Sequence, residues 1–250
     1  MELLAGKILG FMLVLTRVGA FFAVSPVFSW EAIPKRIKIS VAIFTAVFIS
    51  SMTSCPYSSE NTSIMQTVFL MTNEVIYGLA LGYVAVMIFS AIKLGARIVE
   101  RQMGLAMANI LDPLSGEGGQ PIGLLMEMIF ILLFLSVNGH HLFLMTIFDS
   151  YRNFPVGSIP AIRQLTEGII VAGSTLLLLG LKISAPILAS FMLMMVVLAV
   201  LARIAPETNI LFLSLPLRVG LGLLMVGIFL PFINNFIKEF SQWMDKLLPL

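Results

Sequence analysis

Six apolar runs, at residues 8–29, 37–52, 66–92, 122–138, 168–202 and 209–233, take up more than half of this 250-residue chain. A bilayer core needs about 20 consecutive apolar residues per helix. Hydrophobic residues make up 59% of the chain and charged residues only 11%, where a soluble domain carries about 45–50% and about 25%. That balance excludes a soluble globule, a disordered chain and a coiled coil. The expected fold class is all-α: a polytopic membrane protein of about six hydrophobic helices in kinked hairpins. Loops and interfacial helices account for the remainder, which leaves no room for a separate soluble domain.

The runs fit a bilayer badly in three places. Ile37 to Met52 spans only about 24 Å at about 1.5 Å per residue. The fourth run is short and contains Glu127, and the fifth is too long for one straight span and holds Lys182 and Pro186. Tilting and kinking would account for this. So would packing against other subunits, and length alone does not choose between them. Residues 53–63 (TSCPYSSENTS) hold no Lys or Arg, whereas residues 29–38 (SWEAIPKRIK) hold Lys35, Arg36 and Lys38. That asymmetry puts 29–38 in the cytoplasm and 53–63 outside. The first run contains Arg17 and has no small-x-small exit site, so it is expected to stay as a first span. A net charge of +2 implies no nucleic-acid partner, and Cys55, the single cysteine, allows no internal disulfide.

Two segments are amphipathic. In 93–111, Lys93, Arg97, Glu100 and Arg101 share one helical face. In 235–248, Phe236, Ile237, Phe240, Trp243, Met244, Leu247 and Leu248 form an apolar stripe opposite Lys238, Glu239, Gln242, Asp245 and Lys246. Such a helix either lies on lipid or docks on a partner. Between the first of these segments and the fourth apolar run sits DPLSGEGGQP, residues 112–121. Gly and Pro at this density prevent helix and strand, so a mobile or specially shaped loop is expected.

Ionisable residues inside apolar runs are functional candidates. Here they are Arg17, Glu74, Glu127, Lys182 and Arg218. In a transporter they would bind an ion or relay a proton; in an assembly they would pair with charges on neighbouring subunits. Arg17 and Lys182 could also snorkel to an interface. Five in one small chain favours a protein-lined environment. His140 and His141 follow Asn138-Gly139. Adjacent residues on a helix diverge by about 100°, which makes joint chelation awkward. No HExxH, CxxC, GxSxG, Walker A or Rossmann pattern is present. The Asn-Gly-His-His run is expected to be a turn and helix start, with polar side chains capping the backbone. Gly6/Gly10 and Gly78/Gly82 are GxxxG pairs, and Gly220 and Gly222 sit in the last run; small residues let helices approach closely. Met103 and Met107 flank the Gly/Pro-rich loop, and flexible thioethers form either a deformable seal or ordinary core.

Taken together, RQMGLAMANILDP (101–113), FLSVNGHH (134–141) and RIAPETNILFLSLPLRVGLGLL (203–224) resemble the flagellar biosynthesis protein FliR family. TRVGAFFAVSPVFSWEAIPKRIKISVA (16–42) is similar to the first hairpin of that family, whose injectisome relatives share the pattern. The resemblance covers nearly the whole chain, in order. It implies a non-enzymatic subunit of the type III export gate in the bacterial inner membrane and flagellar basal body, without cofactor or metal. Unfolded flagellar subunits would pass through the pore that it helps form and close. The implied partners are the flagellar biosynthesis proteins P and Q in one hetero-oligomeric complex, the larger gate proteins B and A, and membrane lipids.

By the same resemblance, residues 1–165 would be a P-like part and 166–250 a Q-like helical hairpin. The pore plug would run from Gly104 to about Pro121, with Met103, Gly104, Leu105, Met107, Ile110, Asp112, Pro113, Gly116, Gly118 and Gly119 as its gate residues. Asn138, Gly139, His140, Pro206, Asn209 and Pro216 match family motifs and would shape the hairpins. Where the family pattern reads Pro-Gln-x-Asn, this chain has Pro206-Glu207-Thr208-Asn209. The alternatives are an injectisome gate and, from another class, a small-molecule or ion transporter. An intramembrane hydrolase is disfavoured by the missing ligand or triad set.

Overall fold

The computed structural model describes residues 2–29, 33–53, 63–105, 121–160, 162–207 and 209–247, with the side chains after Pro231 outside that description. Among the described residues every regular element is a helix: α1 (Glu2–Val24), α2 (Pro26–Ser29), α3 (Lys35–Met52), α4 (Ile64–Met103), α5 (Pro121–Ser136), α6 (Gly139–Asn153), α7 (Ile162–Ile204) and α8 (Ile210–Leu247). In hydrocarbon a helix satisfies its own backbone polar groups, so apolar sequence with few breaks becomes helix. Side-chain hydroxyls are satisfied the same way: Thr45 and Thr72 donate to the carbonyls of Val41 and Val68 at 2.8 and 2.9 Å.

Among the described residues four helical stretches are long and apolar enough to cross a membrane: Gly6–Val24, Ile64–Met103, Ile162–Ile204 and Phe212–Phe229. The pair α5 and α6 counts together as a fifth, broken candidate. The second apolar run became α3, an 18-residue helix that is not among these candidates. It packs on α1 through Ala42, Ala46 and Ile49 and leaves Phe44 and Phe48 exposed. Two expectations about boundaries change. The amphipathic segment 93–111 is not a separate helix, because α4 runs unbroken to Met103. The C-terminal amphipathic stretch likewise continues α8 to Leu247. At 40 and 43 residues, α4 and α7 are about 60 and 65 Å long, twice a hydrocarbon core of about 30 Å.

The chain divides into two compact units, and the boundary runs inside α4, α7 and α8 and between α5 and α6. Unit 1 is Met1–Ile88, Asn138–Gly173 and Phe240–Leu250; unit 2 is Phe89–Val137 and Ser174–Glu239. This division is by packing and differs from the 1–165/166–250 division, which concerns resemblance.

In unit 1, α1 lays one face on α4. That face runs through Arg17, Ala20, Phe21 and Val24 of α1, whereas the Val14 carbonyl and the Phe21 ring meet Tyr151 and Phe143 of α6. On α4, Glu74, Gly78 and Gly82 follow at four-residue spacing. A Cβ on Gly78 would collide with the backbone oxygen of Arg17 and lie 2.7 Å from the Ala20 Cβ, and one on Gly82 would lie 3.0 Å from the Val24 Cβ. This GxxxG pair is the seat of α1.

In unit 2, α4 and α5 form an antiparallel hairpin in steady register. Phe89 meets Phe130 and Phe134 at centroid distances of 5.0 and 5.3 Å. Lys93 then meets Glu127, and Glu100 meets Ile122. α7 crosses α4 where Gly95 faces Gly180: a Cβ on Gly95 would lie 3.0 Å from the Gly180 carbonyl. An apolar cavity of about 20 Å³ remains between α4, α5, α7 and α8, lined by Ile92, Ala96, Met126, Ile187 and Val226 among others.

Candidate functional site

Two constellations gather the residues singled out in the sequence. The first is in unit 1. Arg17 and Glu74 are fully buried and pair at 2.5 Å from Arg17 Nε to Glu74 Oε2. The other carboxylate oxygen accepts the Gly157 N–H at 2.7 Å. That N–H points inward from a turn in which Gly157 has φ of 78°, a conformation glycine adopts without strain. Arg17 Nη1 donates to Ser150 Oγ at 3.2 Å and to the Phe154 carbonyl at 3.1 Å. The guanidinium also lies over two rings, 4.7 Å from the Tyr77 centroid and 4.1 Å from that of Tyr151. Tyr77 in turn donates to the Ile159 carbonyl at 3.0 Å.

These charges were expected to seek partners on other subunits or, for Arg17, to snorkel to an interface. Instead they neutralise one another inside the chain, because the Gly78 notch lets α1 and α4 approach closely. The cluster ties α1, α4, α6 and the turn after α6 together. Arg17 Nη2 is buried without a partner, but Nε, Nη1 and both carboxylate oxygens are engaged within the chain, so the chemistry of the cluster is that of a structural lock. Ser150, Tyr77, Tyr151 and Gly157 were not foreseen. Tyr77 could have been found as the residue three after Glu74 on the same helical face.

The second constellation is the closed end of the α4–α5 hairpin in unit 2. Glu127, also expected to pair between subunits, accepts from Lys93 Nζ at 2.7 Å, with both side chains partly exposed. Glu100 is buried and accepts the Ile122 N–H at 3.3 Å. It thereby satisfies one of the orphan donors in the first turn of α5 and places a negative charge at that positive helix end. Met103, the last residue of α4, is fully buried. It fills the notch at Gly222 of α8, where an added Cβ would lie 2.5 Å from Met103 Cγ. Gly104 ends the helix with φ of 81° and donates to the Arg101 carbonyl at 3.2 Å. The two helix ends that carry the intervening segment are therefore pinned to each other and to α8.

Of the residues assigned to the plug, Met103, Gly104 and Leu105 belong to this base. Met107, Ile110, Asp112, Pro113, Gly116, Gly118 and Gly119 lie outside the described residues.

The remaining assignments fall elsewhere. Asn138 takes the left-handed conformation (φ 60°, ψ 31°) before Gly139 opens α6, and its side chain makes no cap hydrogen bond. The expected side-chain capping is absent because a capping residue needs an extended backbone to reach the first turn. Its carbonyl accepts the His141 N–H instead, at 2.9 Å. The His140 and His141 rings lie 4.7 Å apart, and among the described residues no three His, Cys, Asp or Glu side chains gather for a metal. Pro206 lies in the turn after α7. Asn209 caps α8: its side-chain oxygen accepts the Phe212 N–H at 3.4 Å, and its carbonyl accepts those of Phe212 and Leu213 at 3.1 and 3.2 Å. Pro216 is inside α8, and Lys182 is on the exposed side of α7. Arg218 is half-buried on α8, in line with Ser214, Gly222 and Val226.

Comparison with known proteins adds the following. The family model for bacterial export proteins, family 1, matches residues 8–244. The chain is 31% identical over 219 residues to the flagellar biosynthetic protein FliR of Bacillus subtilis, covering 86% of this chain and 84% of that protein. It is 28% identical over 235 residues to the flagellar biosynthetic protein FliR of Pectobacterium carotovorum, covering 92% and 88%. Over the same length it is 29% identical to the Yop proteins translocation protein T of Yersinia pestis, covering 91% and 88%.

Proposed function

The chain belongs to the bacterial export proteins, family 1, and on that premise we propose that it is a subunit of the flagellar type III protein export gate, a multi-pass protein of the bacterial inner membrane. The observation that carries this is the family match across nearly the whole chain, joined to FliR relatives at about nine-tenths coverage. The helices suit the role. α4 and α7 are too long to be solvated by lipid alone, and α7 and α8 carry extensive exposed apolar surface. The match to the Yop translocation protein supports an injectisome gate as the second reading.

In the flagellar basal body the subunit would join the flagellar biosynthesis proteins P and Q, with residues 1–165 taking a P-like place and 166–250 a Q-like one. The larger proteins B and A would complete the apparatus. The cargo is unfolded flagellar subunits, and the subunit itself performs no catalysis. The segment from Met103 and Gly104 onward, through Met107, Ile110 and Asp112 to Gly118 and Gly119, is the proposed plug. Apolar side chains such as Leu105 and Met107 exclude water and ions until cargo arrives. The pinned base described above supports this reading: a plug must be held at its root to close a pore against a membrane potential.

The test is co-purification of a tagged copy from its native membrane, read by native mass spectrometry. One copy accompanied by several copies of two small helical membrane proteins is the expected result. A chain that arrives alone or as a homo-oligomer overturns the proposal.

A further inference from the structure

The start of α3 concentrates charge that nothing described answers. Lys35, Arg36 and Lys38 stand among its first four residues, and the first turn holds no acid. Pro34 before them provides no side-chain cap, and the positive end of the helix dipole adds to their field. Among the described residues no carboxylate pairs with any of the three. Counting Glu31, residues 29–38 hold three cations and one acid, a net +2. Lys35 and Arg36 are exposed and Lys38 is part-exposed. Such a cluster calls for an anion from outside the described chain.

The surface that leads away from it suits an acyl chain. Ile37, Val41, Phe44 and Phe48 recur at helical spacing along α3, and all are exposed. Arg36 and Lys38 each stand about 100° around the helix from Ile37, on opposite sides, so they flank the start of this stripe. From Ile37 to Phe48 is eleven residues, about 16 Å of helix, and one leaflet of a hydrocarbon core is about 15 Å deep. Helix contacts inside this chain are made differently. They sit on small residues: Gly78 and Gly82 receive α1, Gly95 meets Gly180, and α3 meets α1 through Ala42 and Ala46. α3 has no other Gly or Ala, and its exposed stripe is all branched and aromatic, with no seat for a helix backbone.

We propose that the exposed face of α3 binds an anionic phospholipid, with its phosphate held by Lys35, Arg36 and Lys38 and an acyl chain lying along the stripe from Ile37 to Phe48. This rests on the inner-membrane reading above and names the lipid class and its seat. The cation asymmetry places 29–38 on the cytoplasmic side, where anionic headgroups attract Lys and Arg beside a membrane. A zwitterionic lipid offers the stripe the same acyl chain but brings the cations no net charge, so the headgroup sets the preference.

The test takes the tagged chain, with the subunits that accompany it, from its native membrane into mild detergent. Dioleoyl phosphatidylglycerol or dioleoyl phosphatidylcholine is titrated in, and bound lipid is counted by native mass spectrometry. Each basic residue near an anionic headgroup is worth about fivefold in affinity. Lys35→Gln, Arg36→Gln and Lys38→Gln together should therefore weaken the tightest phosphatidylglycerol site by about a hundredfold and leave phosphatidylcholine binding unchanged. Lys35→Arg with Lys38→Arg keeps wild-type binding, and Phe44→Ser with Phe48→Ser weakens both lipids. If the triple variant does not melt like wild type, Arg36→Gln with Lys38→Gln replaces it, with a loss of about 25-fold. Phosphatidylglycerol binding within twofold of wild type in the glutamine variant, or loss of accompanying subunits with the phosphatidylglycerol retained, overturns the proposal. If the wild-type chain arrives alone, the export-gate reading falls, and the lipid counts on that chain still decide this site.

Discussion

Replacing Glu74 by glutamine changes one atom type at the centre of the unit 1 lock. The amide oxygen can still accept the Gly157 N–H, which lies 2.7 Å from the carboxylate. The amide nitrogen, however, would face Arg17 Nε, where the carboxylate oxygen now accepts at 2.5 Å. Two donors would oppose each other, and a fully buried guanidinium would lose its counter-charge. Unit charges about 4 Å apart attract by about 4 kcal/mol at an effective dielectric of about 20. Breaking a buried pair from one side costs about 3–5 kcal/mol. The contacts of Arg17 to Ser150, Phe154, Tyr77 and Tyr151 remain, so the lower half of that range is expected. Removing both charges with Arg17→Met and Glu74→Leu also sacrifices the Gly157 bond, at about 1–3 kcal/mol. It leaves no unpaired ion, so it should be no worse than Glu74→Leu alone and better by about 3 kcal/mol. Thermal melting of the chain in mild detergent measures this, the difference being about 6–12 °C. If Glu74→Leu and the double variant melt together, charge compensation is not what makes Glu74 matter.

Three further outcomes are expected. Gly78→Ala forces a methyl against the Arg17 backbone oxygen, which cannot move without displacing α1, so melting should fall by an equivalent of about 1–3 kcal/mol. Gly19→Ala meets nothing within 4 Å and should be neutral or slightly stabilising; equal losses for both would show that the notch is not the cause. Lys93→Glu should cost up to about 1 kcal/mol, because the pair is part exposed, and adding Glu127→Lys should restore it; a swap that stays as weak as the single variant removes the pairing. Deleting Gly118 and Gly119 should make the assembled, closed gate leak ions, measured as proton or small-ion conductance of cells or vesicles; unchanged conductance removes the plug assignment.

The helices were legible in the sequence because a membrane permits little else for long apolar runs. The ends were less so. Lys93, Arg97, Glu100 and Arg101 looked like the solvated face of a separate helix, yet α4 continues through them. Two of these charges find partners that no spacing along the chain reveals: Glu127 lies 34 residues from Lys93, and Ile122 lies 22 residues from Glu100. Arg17 and Glu74 stand 57 apart. Each was visible as an anomaly, and their pairing was not, because period and hydropathy report the face of a helix and not its neighbour.

One clue to the pairing was nevertheless present in the letters. Glu74, Gly78 and Gly82 share a face of α4, and a carboxylate one turn before a GxxxG seat marks where a helix bearing the opposite charge will land. On α8 the same kind of seat is filled from within the chain: Gly222 shares a face with Arg218, and its notch holds Met103 of α4. What no letter pattern could supply is which helix arrives, because a glycine marks that a neighbour can approach closely and not which neighbour does.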